Sequence, residues 1–271
     1  MVANTWDSPI TISAEFAGTT IDASAYTYLP QGQGTNLTYT PLPGGQLAPG
    51  QLGILFLSKY ESGDIFQVDC PVQQALEMNT HVSDGSNAYP GVTGLGNAFR
   101  ITTTAPVVAY DVYPWGGASS FVSSATLLVP TPTWGTNFVT ADAWGPQYGN
   151  PWTQVVAAED ATTVTIVPKV ALSGGNGLPG GPANMPQTFT LNRGQVAQFL
   201  QPTLLTGSIL SSDKPVSVWG GSSCMNVPDG AVACDAAHQQ LLPVQAWGSE
   251  YAAVRYPPRG GDDNAPFMIV G

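Results

Sequence analysis

Apolar residues in this chain come in short runs with a period of two, and Gly, Pro, Asn or Asp closes each run within a few residues. Val164–Val167 reads Val-Thr-Ile-Val, Phe189–Leu191 reads Phe-Thr-Leu, and Val216–Trp219 reads Val-Ser-Val-Trp. Alternating β-branched and aromatic residues suit a pleated surface with one buried side. Helical spacing is confined to one short candidate, Val72–Met78. Strands recurring about every 8–14 residues, with turn signals between them, specify an all-β fold rather than βαβ units. The reading is two tandem β-sandwich-like units. A β-propeller-like arrangement of four-stranded blades gives the same local signal and stands as the alternative.

Composition narrows the partners. Only 9% of the 271 residues are charged, 18 acidic against 7 basic, for a net charge of −11, while 43% are hydrophobic. Low charge density with abundant aromatics is the reverse of a disordered composition, so the chain has material for a core. Without clustered Lys and Arg there is nothing to grip a phosphate backbone, which excludes nucleic acid. No run of about 18 apolar residues occurs, so membrane insertion by a helix is excluded as well. The opening Met1-Val2-Ala3-Asn4-Thr5-Trp6 has neither the basic nor the apolar region of a signal peptide. Cys224 and Cys234 bracket a segment containing Pro228 and Gly230 that reads as a tight loop. A disulfide closing it contributes about 2–3 kcal/mol and requires an oxidising compartment. Cys70 is left over as a buried thiol.

The chain also repeats itself. Gly50-Gln51 matches Gly194-Gln195, and the same offset pairs Gly63 with Gly207, Ile65 with Ile209, Asp69 with Asp213 and Pro71-Val72 with Pro215-Val216. Pro130, Trp134-Gly135 and Phe138 match Pro243, Trp247-Gly248 and Tyr251. Upstream, Ile10-Thr11-Ile12 matches Val164-Thr165-Ile166. Pro106 offers a second match to Pro215, which leaves a surplus around 72–105 in the first copy. Val2 aligns with Val155, and the C-terminal Met268–Gly271 aligns with Gln154–Ala157. These matches predict two units, 2–154 and 155–271, cut from a longer repetitive protein whose neighbouring repeats are partners.

Ser212-Asp213-Lys214-Pro215-Val216-Ser217-Val218-Trp219-Gly220-Gly221 continues through Cys224, Cys234-Asp235 and Leu241-Leu242-Pro243 to Trp247-Gly248-Ser249-Glu250-Tyr251. With Ala158–Thr165 upstream, this resembles the IgGFc-binding protein N-terminal domain family, most strongly over about 97–256. The resemblance implies an extracellular β-rich module of large, often repetitive proteins, found in animal mucus proteins and bacterial secreted proteins. It does not imply antibody binding. The first unit departs from the pattern, with Cys70-Pro71 in place of Lys214-Pro215 and no paired cysteines.

Candidate chemistry is sparse. Trp134-Gly135 and Trp247-Gly248 read as packing corners, because an aromatic at a strand edge followed by a flexible glycine recurs at equivalent positions. Glu159-Asp160 reads as a turn, where Asp caps its own backbone. As a hydrolytic pair they would need a facing acid such as Asp235 or Glu250. Cys224, Cys234 and His238 do not have the compact spacing of a zinc site, so His238 is expected at the surface. His81 is the second of only two histidines, and both are expected in loops. Gly261-Asp262-Asp263-Asn264 is a partial calcium loop without the closing Glu. No catalytic residue, no metal ligand and no cofactor is expected, with calcium the one ion left open.

Three functions compete. The first is a non-catalytic extracellular binding or adhesion module, secreted or at the cell surface, whose partner is an extracellular protein or a glycan. The second is a stacking spacer. The third is a β-sandwich carbohydrate-active hydrolase built on a carboxylate pair. Specificity is expected in the two segments that differ most between units, Val72–Ala105 and Ser173–Pro186, each removable at little cost to stability.

Overall fold

Alternation in Thr162–Val167 buries Val164 and Ile166 completely and leaves Thr163 exposed, the half-buried strand that the pattern predicts. The computed structural model describes residues 1–58, 70–77, 80, 82, 91–113, 124–145, 149–227, 234–255 and 267–271. Among these residues eighteen strands run in order: β1 (Val2–Ala3), β2 (Ile10–Phe16), β3 (Thr19–Ile21), β4 (Thr27–Gln31), β5 (Thr38–Pro41), β6 (Gln46–Leu47), β7 (Leu52–Leu55), β8 (Gly94–Asn97) and β9 (Phe99–Thr103). They continue as β10 (Val108–Tyr113), β11 (Ser124–Leu127), β12 (Gly135–Val139), β13 (Pro151–Ala157), β14 (Thr162–Val167), β15 (Gln187–Leu191), β16 (Gln195–Leu200), β17 (Ile209–Met225) and β18 (Asp235–Leu241). The protein is all-β. Among the described residues no α-helix forms, and the helical candidate is irregular over 72–77, where Leu76 instead bridges Ser58. Seven residues are too few to sustain an isolated helix.

Three sheets carry the fold. One has the order β11-β10-β1-β7-β4-β5. The largest has the order β15-β14-β17-β13-β16-β8, with β12 and β18 also paired to β17. The third has the order β3-β2-β6, with β9 added to β2. Sheets of such unequal strand number fit a sandwich-like fold and not a ring of four-stranded blades. The main core lies beneath the largest sheet and contains Phe138, Val155, Val164, Ile166, Phe199 and Leu210. A second cluster joins Val2, Ile10, Ile12, Leu47 and Leu55 in the first half. Beside it Tyr28, Ile54 and Phe56 pack with Cys70, which is half-buried and not the buried thiol expected.

The two halves repeat one strand register. Val2 faces Gly53 on β7 and Ala109 on β10, and Val155 faces Ala197 on β16 and Val218 on β17. Tyr110 opposite Leu127 recurs as Trp219 opposite Gln240. This register sets Pro106, not Pro71, against Pro215. It also moves one sequence match, because Ile12 faces Thr103 where Val164 faces Ser212. The counterpart of Val164-Thr165-Ile166 is therefore Ile12-Ser13-Ala14, two residues beyond the match made on residue identity. Side-chain type recurs every second residue in a strand, so identity alone cannot fix the register. Gly63, Ile65 and Asp69 lie outside the described residues.

The 154/155 line falls inside β13. The largest sheet also draws β8 and β12 from the residues before it, so strands cross between the halves.

Candidate functional site

The two segments marked as unit-specific meet at one edge of the largest sheet. β8, from the 72–105 segment, pairs with β16: Gly94 faces Gln198 and Asn97 faces Gln195. Across it lies a folded hairpin from the 173–186 segment. Gly175 and Leu178 exchange backbone hydrogen bonds of 3.1 and 3.0 Å around Asn176 (φ 45°) and Gly177 (φ 89°). Two successive positive φ values make this a type I′ turn, for which Asn-Gly is the favoured pair. The Asn176 amide then donates to the Thr93 carbonyl at 2.8 Å. Thr93 Oγ1 donates to the Leu200 carbonyl, and the Gln198 amide donates to the Val92 carbonyl at 2.8 Å. Leu95 remains exposed beside this brace, next to Gly177.

Neither segment is the free loop expected from its Gly, Pro and Asn content. β8 and β9 are integral strands of the 72–105 segment, and Leu172 and Leu178 at the base and tip of the hairpin belong to the main core. Removing either segment therefore opens the core. The signal for the hairpin was the Asn176-Gly177 pair between Leu172 and Leu178. Of the four positions naming these segments, Val72 packs beside Phe56 and Ala105 against the first-half core, while Ser173 donates its backbone N–H to Gln201 at 2.9 Å. Pro186 is exposed just before β15.

The Cys224–Cys234 disulfide is present, with a Cα–Cα distance of 5.2 Å, and ties the end of β17 to the start of β18. His238 is not a surface loop residue. It sits on β18 with its side chain 10% exposed, stacked on Trp219 at a centroid distance of 6.1 Å. Alternation along β18 turns it toward β11, where its Nδ1 is 2.9 Å from Ser124 Oγ, and its Nε2 is 3.4 Å from Asp111 on β10. Ser, His and Asp are the residue types of an acyl-transfer triad, but Nε2 has no hydrogen bond, so the carboxylate does not orient the ring as a triad requires. The cluster braces the two halves of the chain. His81 lies outside the described residues.

Glu159 and Asp160 occupy the β13–β14 turn, with Ala161 at φ 50°. The Asp160 carboxylate accepts the backbone N–H of Arg193 at 3.0 Å, so it caps a neighbouring turn and not its own. The Lys214 ammonium donates to the Asp160 carbonyl at 2.5 Å. Asp235 and Glu250, offered as facing acids, are both exposed. Among the described residues no group of three or more His, Cys, Asp or Glu is placed to hold a metal ion. Gly261–Asn264 lies outside them.

Asp142 escaped the sequence reading. It is 4% exposed and accepts hydrogen bonds from Thr153 Oγ1 at 2.5 Å and from the Leu205 N–H at 2.6 Å. Burial pushes its carboxyl above the ordinary carboxylate value, against the opposing pull of those two donors.

The Trp–Gly corners are built alike. Pro130 opens a 3-10 turn over Thr131–Thr133 and Pro243 opens one over Val244–Ala246. The Trp134 indole donates to the Val129 carbonyl at 3.0 Å, and the Trp247 indole to the Leu242 carbonyl at 3.2 Å. Elsewhere Trp6 donates to the Pro106 carbonyl at 2.5 Å, and the Pro215 carbonyl accepts from Ala158 at 3.1 Å.

Fold and site together define an all-β module whose terminal hairpin is closed by a disulfide. The chain belongs to the IgGFc-binding family: the family profile described as IgGFc binding protein matches residues 124–271, more than half of its length. This is a family of binding domains, and the match covers the disulfide, both Trp–Gly corners and the Asn176-Gly177 hairpin. No curated protein and no solved structure is significantly similar to the chain.

Proposed function

We propose that the chain is a non-catalytic extracellular binding or adhesion module, secreted or at the cell surface, that takes an extracellular protein or a glycan. The family supports the binding role, and the disulfide supports an oxidising compartment. The observation that carries the reading is the Thr93–Asn176 brace with Leu95 exposed beside it, where the segments least alike between the halves are held on one sheet edge. Exposed apolar side chains on a braced frame bind with little ordering cost. No cofactor is part of this reading. The crossing of β12 into the largest sheet favours a second role beside it, a stacking spacer between neighbouring repeats.

The test is an array of glycans and extracellular proteins probed with the full chain, with and without calcium. One ligand class is expected to be retained. Leu95→Glu should weaken it about tenfold or more, equivalent to about 1.4 kcal/mol, at unchanged Tm. Hydrolysis of a glycan or peptide that disappears in Glu159→Gln or Asp160→Asn would instead establish an enzyme.

A further inference from the structure

Strand β12 follows the first Trp–Gly corner and leaves its own half to pair with β17. Phe138 faces Leu210, Asn137 faces Ser211 and Val139 faces Ile209. Phe138 is 1% exposed and Leu210 fully buried. The residues at the same place after the second corner are Gly248–Ala252. They form no strand among the described residues, and Tyr251, at the position of Phe138, is 73% exposed.

The surface that would receive such a strand is also present. The register makes β9 the counterpart of the first part of β17, with Ile101 at the place of Leu210. β17 is flanked there by β14 and β12, whereas β9 has β2 as its one partner among the described residues. Thr104 N–H donates to the Thr11 carbonyl. Hydrogen-bonded pairs alternate in an antiparallel ladder, so Thr102 also bonds toward β2 and Ile101 directs its N–H and C=O away from β2, to the edge where no strand pairs among the described residues. Ile101 is half-buried where Leu210 is covered.

A separate observation concerns glycine. A Cβ at Gly135 would lie 2.5 Å from Pro243 Cβ and 2.8 Å from the Gln245 amide, because the corner ending the first half packs against the corner ending the second. At Gly248 a Cβ would meet nothing closer than 3.8 Å, and that contact is its own neighbour Glu250. Among the described residues of one chain the second glycine has no steric cause. It has one if Gly248 packs against Pro130 of another copy, as Gly135 packs against Pro243.

We propose that residues 248–252 donate a strand to the β9 edge of a second copy of this unit, head to tail. The predicted register sets Tyr251 against Ile101, Glu250 against Thr102 and Ala252 against Arg100, which leaves Glu250 and Arg100 as diagonal neighbours of opposite charge. The contact is heterologous: donor and acceptor are different surfaces, so copies add in one direction. It rests on the repeated register and not on the binding surface proposed above, so either can fail alone. Between separate chains the contact is weak, and between neighbouring units of one chain it gains an effective concentration of about a millimolar.

Light scattering and sedimentation of the full chain over a concentration series test the proposal. Mass should rise with concentration to dimers and longer oligomers. Tyr251→Asp and Gly248→Val, both at exposed positions, should each lower the association constant about tenfold or more with Tm unchanged. Ile101→Pro removes the open-edge N–H and should act likewise from the acceptor side. Mixing a donor variant with Ile101→Pro should give dimers and nothing larger, since one intact donor and one intact acceptor remain. A chain that stays monomeric up to millimolar concentration, or one whose oligomers survive Tyr251→Asp and Gly248→Val, overturns the proposal. The donor variants decide the outcome even where Ile101→Pro disturbs the fold.

Discussion

Residues 130–142 and 243–255 begin with the same Pro, 3-10 turn, Trp and Gly, and diverge from there. After the first corner Phe138, Thr140 and Asp142 are buried in the core of the other half, while after the second every residue from Val244 to Arg255 is exposed. Phe138 and Tyr251 are both large aromatics at a strand-forming position, so local propensity does not separate them. The difference lies in whether a sheet edge is within reach, and β17 supplies one to the first segment only. Exposure of a residue at these matched corners thus reports its neighbour as much as its own chemistry.

Truncation should show the contrast most strongly. Phe138→Ala is expected to cost about 3–5 kcal/mol in urea unfolding, the range for emptying a buried aromatic site. Tyr251→Ala in dilute protein should stay within about 0.5 kcal/mol of the parent, as exposed sites do. Equal costs at the two positions would break the comparison.

The disulfide separates the halves next. β17–β18 is stapled by Cys224–Cys234, and no disulfide closes the equivalent β10–β11 pair among the described residues. Replacing both cysteines by serine should cost about 2–3 kcal/mol, read as a lower Tm. Reductant should lower the Tm of the parent and leave that of the variant unchanged.

The corners themselves give a smaller effect. Trp134→Phe removes a part-buried hydrogen bond and is expected to cost about 1 kcal/mol, within the net range for such bonds. Trp247→Phe breaks the equivalent bond at a site 38% exposed, where water replaces it, and should cost less. Chemical denaturation of the two variants side by side reads the difference.

Asp142 supplies the smallest contrast, since its counterpart is the exposed Arg255. Burial raises its folded pKa above the unfolded value, so the native state holds the proton more tightly. The stabilisation is present below the unfolded pKa and is lost as pH rises through the raised folded value. In urea titrations at stepped pH, stability should fall across that window, and Asp142→Asn should remove this part of the slope.

Much of the fold was legible because it rests on local chemistry. Alternation at Val164–Val167 and Val216–Trp219 gave strands, the spacing of Cys224 and Cys234 gave the disulfide, and Pro130–Trp134 against Pro243–Trp247 gave two matching corners. Local chemistry also misled where segments only looked like loops: Ser173–Pro186 is rich in Gly and Pro, yet Leu172 and Leu178 anchor it in the core. His238 was expected at the surface because nothing near it in sequence covers it; Trp219, Ser124 and Asp111 do so from strands up to 127 residues away.

The sequence by itself determined strand content, turn chemistry, the matching Trp–Gly corners and the cysteine pair, since each depends on residues within a few positions of one another or on matching two stretches of text. Tertiary structure alone decided that Pro106 and not Pro71 answers Pro215, that β12 crosses to β17, that Asp142 is buried, and that the two unit-specific segments meet at Thr93 and Asn176. The reason is physical. A strand satisfies half of its backbone hydrogen bonds with a partner the sequence does not name, and sheets close by choosing among edges of equal local propensity through the burial each choice achieves.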